Sequence, residues 1–130
     1  GGNARVGINT SSPGSGIQVN DSVSFKVSGP KTSDYTIAED DYCVVGDCNV
    51  SNITLTLPVS TDAMSGRTYV IKRLDSGNNG GGNTLTVSRN GKNIDGVGND
   101  QILANRDALV FMCLDASSGW ILIGSYMVPL

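Results

Sequence analysis

Turn-forming residues punctuate this chain so closely that only short strands fit between them. Apolar–polar alternation recurs roughly every 8–12 residues, and each run is stopped by Gly, Pro, Asn, Asp or Ser, a pattern that belongs to sandwiches and barrels. Ile53 to Leu57 alternates cleanly and Pro58 ends it. Tyr42 to Val45, Thr68 to Leu74 (Tyr69 and Ile71 on one face) and Thr84 to Ser88 (Leu85 and Val87 inside) follow the same rule, while Tyr35 to Ile37 is a weaker run. Asp21 to Val27 reads as a strand with Val23, Phe25 and Val27 on one face, broken by Gly29-Pro30. Asn90-Gly91 signals a hairpin leading to Ile94, because both positions of a tight turn tolerate positive φ. Ala108 to Leu114 and Trp120 to Ile123 are the most apolar runs and predict a terminal hairpin inside the core. Glu39-Asp40-Asp41 and Ser60 to Gly66 read as polar connections, and no segment carries helical periodicity. The expectation is an all-β chain, a small antiparallel β-sandwich or barrel of six to nine strands.

At 130 residues, with 38% hydrophobic residues and 17 glycines, the core of a lone chain is thin. Subunits that share buried surface would supply the remainder. The texture also changes along the chain. Residues 1–28 form an extended stalk-like segment and 29–130 the β-domain. In the segment, Val6, Ile8, Ile17 and Val19 are isolated around a Gly/Ser/Pro turn. They can pack only against copies of themselves or onto the following domain.

The residues for most site chemistry are missing. The chain has no histidine, which removes Ser-His and Cys-His catalysis and the usual zinc and non-haem iron sites. No cofactor or metal is expected. Asp95, Asn99 and Asp100 lack a calcium-loop signature. Three cysteines cannot all pair; a turn over 44–47 would bring Cys43 and Cys48 together, but buried small hydrophobes are the ordinary reading, as for Cys113 beside Leu109 and Phe111. Asp34, Glu39, Asp40, Asp41, Asp47, Asp95 and Asp100 lie mostly in turn-like contexts, where solvation explains an acid better than catalysis does. Net charge is −3 and the nine basic residues are scattered, so no nucleic-acid partner is expected. No apolar run reaches the roughly 18–20 residues that span a bilayer. The start at Gly1 shows no signal-peptide pattern and suggests a piece of a longer protein. Asn9, Asn20, Asn49 and Asn52 begin glycosylation sequons, relevant only on a glycosylating pathway.

Candidate ligand contacts are Tyr35, Tyr42 and Tyr126, near turns or the terminus, and Asn78, Asn79 and Asn83 in the glycine-rich stretch 77–83. Trp120 offers a broad face for a sugar ring but sits in the most apolar run, where core is the simpler role.

Val6-Gly7-Ile8-Asn9-Thr10-Ser11-Ser12-Pro13, followed by Ile17-Gln18-Val19, resembles the Gly-Ile-Gly-Thr-x-x-Pro stalk motif of phage tail fibres and mosaic trimeric adhesins, with Asn9 in place of the second glycine. Tyr42 to Val45, Ile53 to Pro58, Gly66 to Lys72, Leu85 to Val87, Ile94 to Gly96 and Trp120 to Ile123 follow in the order of a small β-domain near the ends of such fibres. The resemblance implies a parallel homotrimer in which Val6, Ile8, Ile17 and Val19 line the subunit interface. It also implies an extracellular fibre, on a virion or a bacterial surface, that attaches to a host or target cell through a glycan or surface receptor. A purely structural trimerisation module and a polysaccharide depolymerase are the alternatives; an enzyme is not expected.

Overall fold

Two short strands, β1 (Val6–Ile8) and β2 (Ile17–Val19), pair in parallel as a ribbon separate from the other sheets. The structure is a computed structural model and describes residues 4–75, 82–104 and 106–127. From Val27 onward the chain changes sheet at almost every turn. Strand β3 (Val27–Lys31) lies in one sheet and β4 (Tyr35–Thr36) in another. The next four strands alternate likewise: β5 (Cys43–Gly46), β6 (Ile53–Thr56), β7 (Thr68–Arg73) and β8 (Leu85–Ser88). Then β9 (Gln101–Leu103) joins β8 antiparallel, and β10 (Ala108–Asp115) with β11 (Gly119–Tyr126) forms the terminal hairpin beside β7. The resulting orders are β11-β10-β7-β5-β3 and β4-β6-β8-β9. The fold is all-β and sandwich-like, and neither sheet closes into a barrel.

The antiparallel expectation needs correction. β3, β5 and β7 run parallel to one another, as do β4, β6 and β8. A parallel neighbour requires a crossover rather than a tight turn. Here the crossover is a strand of the facing sheet, so three flattened coils stack on each other: β3–β4, β5–β6 and β7–β8. Alternation and turn residues report which side of a strand is buried; they do not report whether the turn doubles back or crosses over. Among the described strands, antiparallel pairing is confined to the far end, where β9, β10 and β11 finish the two sheets.

Side chains from both sheets fill one core. Val44, Tyr69, Ile71, Leu109 and Phe111 meet Ile53, Leu55, Leu85, Val87 and Leu103, all buried. Trp120 is completely buried, its ring tilted against Tyr69 with centroids 5.6 Å apart. Gly46 points inward too, and a Cβ there would collide with Leu85 and crowd Ile53, which accounts for a glycine in mid-sheet. All three cysteines are free: Cys48 and Cys113 are core, and Cys43 sits on the opposite side of β5 from Val44.

Three local expectations also shift. The strand expected over Asp21 to Val27 begins only at Val27, and Val23, Phe25 and Val27 are all exposed. Gly29-Pro30 lies inside β3 as a cis peptide where the register with β5 slips, so the strand passes through the expected break. Asn90 and Gly91 do take positive φ, 52° and 77°, but Ile94 makes only isolated bridges, to Val97 and Trp120; the strand that returns beside β8 is β9.

Candidate binding surface

At the entry to β5 and β7 a polar cluster is built around Asp41. Its carboxylate is buried and turns back on the chain to accept the Ala38 N–H at 2.9 Å. It also accepts the Ser28 hydroxyl at 2.5 Å and the Tyr35 hydroxyl at 2.8 Å, and the Lys26 ammonium lies 3.2 Å away. Burial pushes the Asp41 pKa up, but the bonds from Ser28, Ala38, Tyr35 and Lys26 outweigh it and bring it down to about 2. Asp41 is therefore a fixed anion. Donating to it raises the Tyr35 pKa, with burial adding to the effect. Lys26 spans Asp40 and Asp41, and its bond to Asp40, 2.7 Å, raises its own pKa and lowers that of Asp40.

Aromatic rings flank the cluster. Phe25 stacks on Tyr42 with centroids 4.3 Å apart, and the Lys31 ammonium lies 3.6 Å over the Tyr35 ring. The Arg67 guanidinium donates to the Glu39 carbonyl, which the Tyr69 hydroxyl also reaches at 3.3 Å. Glu39, Asp40, Asp41, Tyr42, Arg67 and Thr68 thereby line an open depression of about 480 Å³. It joins a braced aromatic ring to a guanidinium, carboxylates and a hydroxyl, a mixture suited to a ligand with an apolar face and several hydroxyls. Polysaccharide cleavage needs a carboxyl held protonated as the acid. Asp40 and Asp41 are shifted the other way and lend that chemistry no support.

No protein-family model matches the chain, and no curated protein is significantly similar to it.

Of the residues singled out in the sequence, Tyr42 lines the depression beside Asp41, and the Tyr35 hydroxyl is already committed to that carboxylate. Asn83 is a brace: its amide donates to the Cys48 carbonyl at 2.8 Å, and its own carbonyl accepts from Arg73. Asn78 and Asn79 lie outside the described residues. Tyr126 is exposed on β11, three strands from β5, with the Lys72 ammonium 5.7 Å from its ring. Val6, Ile8 and Ile17 are 55%, 50% and 71% exposed, and Val19 is half-buried. Lys26 and Arg67 join the site without a local signal in the sequence, and Phe25 joins it from a segment whose alternation points only to a strand. In the sequence Asp41 is one acid among several, and nothing local announces that Arg67 returns to Glu39.

Proposed function

We propose that the chain is the end piece of a homotrimeric extracellular fibre that attaches to a host or target surface. The carrying observation is the N-terminal ribbon. Its bonds, such as Val6 N–H to the Gly16 carbonyl and Asn20 N–H to the Ile8 carbonyl, run within the segment, while Val6, Ile8 and Ile17 face solvent. A two-stranded ribbon is marginal in water by itself. Winding three copies together buries those side chains, each worth about 1–2 kcal/mol when covered. The ribbon supports assembly; the depression beside Tyr42 supports attachment, with a surface glycan as its ligand. Three copies of a weak site on one fibre gain avidity on a repetitive surface.

Binding of the full chain to a glycan array tests the attachment. A restricted set of glycans is expected to bind, Tyr42→Ala should weaken binding at least about tenfold, and Tyr42→Phe should retain most of it. Thr86→Ala, on the opposite sheet, should change nothing. If Tyr42→Ala binds as the parent does, the depression is not the contact. An array without any bound glycan would leave the purely structural fibre module as the reading.

A further inference from the structure

The two sheets differ on their outward sides. On the four-stranded sheet the outward positions are hydroxylated: Thr36, Thr56 and Ser88 align in one row, Thr54 and Thr86 in the next, with Ile102 at the edge. On the five-stranded sheet, Val27, Cys43, Val70, Val110 and Gly124 align across all five strands. They alternate with inward side chains such as Val44, Ile71 and Leu109, so the row faces away from the core. Met112 and Ile121 pair on one side of it, and Val45 and Ala108 continue it on the other. Strands buried on both faces read as unbroken apolar runs, whereas strands with a wet face alternate. Ala108 to Leu114 is such an unbroken run, and Ile53 to Thr56 is the alternating kind. One molecule therefore contains both the surface meant for water and its counterpart.

We propose that copies of this chain pack against one another through the outward face of the five-stranded sheet. The inference rests on the self-assembly reading above and names the surface that the β-domain contributes to it. Three observations select a second copy as the occupant. The face is continuous with the segment that needs partners, since the exposed Phe25 leads directly into Val27 at the edge of the row. The rows just named hold no acid, Asp115 lying beyond them at the end of β10, although the chain carries −3 overall, so like-charged copies meet along these rows without carboxylate repulsion. The one cation among them, Lys72, already lies near the Tyr126 ring and donates to the Arg106 carbonyl. Five strands about 4.8 Å apart and about 20 Å long present a patch on the order of 400 Å². Added to the ribbon, that approaches the roughly 800 Å² per partner of a stable interface.

Cys43 supplies a native probe, because it lies in the row while Cys48 and Cys113 are buried in the core. The full chain is reacted with a thiol reagent and its mass followed by light scattering, alongside Val110→Glu, Val27→Asp and Thr86→Glu. The parent and Thr86→Glu are expected to be assembled, with Cys43 slow to react. Val110→Glu and Val27→Asp should lose mass toward the 13.5 kDa single chain, with Cys43 reacting at least about tenfold faster. Val27 is 65% exposed in the single chain, so Val27→Asp keeps the test valid if Val110→Glu fails to fold. An assembled parent whose mass and Cys43 reactivity are unmoved by Val27→Asp overturns this interface and leaves the ribbon-based assembly standing. A monomeric parent with a fast Cys43 overturns both.

Discussion

Asp75→Ala is expected to destabilise the fold by about 3–5 kcal/mol, the cost of stranding one member of a buried ion pair. Arg73 is 2% exposed, at the end of β7. Its Nε reaches both Asp75 oxygens at 3.1 Å and its Nη2 reaches Oδ2 at 2.7 Å; two further bonds go to the Leu103 and Asn83 carbonyls, each at 2.8 Å. Asp75 in turn accepts the Cys48 N–H at 2.9 Å. Burial opposes the Arg73 charge, but the bonds and charge of Asp75 more than offset it and keep the guanidinium ionised. One ion pair thus ties together the end of β7, the segment before β6, the approach to β8 and the end of β9. Removing the carboxylate leaves a charge that cannot be neutralised, because Arg does not give up its proton. Urea unfolding should show the full loss for Asp75→Ala and a smaller one for Arg73→Met/Asp75→Ala, which removes the stranded guanidinium along with its partner. A single variant within 1 kcal/mol of the parent would contradict the clamp.

Trp120→Ala is expected to cost a similar amount, about 3–5 kcal/mol, from lost transfer free energy and the cavity left between the sheets. Trp120 is completely buried, and its indole N–H has no hydrogen-bond partner among the described residues. Trp120→Phe therefore sacrifices no hydrogen bond and should cost clearly less than alanine. Thermal unfolding, compared with the parent, measures both. A Trp120→Ala protein as stable as the parent would mean that the ring is not in the core, and would return it to the list of sugar-stacking residues.

What was legible in the sequence follows from what alternation encodes. Ile53 to Leu57, Thr84 to Ser88 and the two last apolar runs announced strands and their buried sides, because a period of two reports which side chains meet the core. Direction and partner were not written there. A Gly- or Pro-marked break looks the same whether the chain reverses beside itself or crosses to the facing sheet, so stacked parallel coils carry the same signature as an antiparallel sandwich. The stacking leaves no fixed repeat either, since Val27, Cys43 and Val70 occupy one row at unequal spacings along the chain. At the candidate site, Tyr35 and Tyr42 stood out by residue type. The ion cluster beside them does not, because the Lys26–Asp40 and Arg67–Glu39 contacts join residues 14 and 28 positions apart in the chain.

The central claim, that this chain works as an assembly of three, rests on apolar side chains that a single copy leaves uncovered. Its most direct test is the solution mass of the unmodified chain by light scattering after size exclusion. A mass three times the 13.5 kDa chain, held on dilution, is the predicted result; a stable 13.5 kDa monomer would contradict the account.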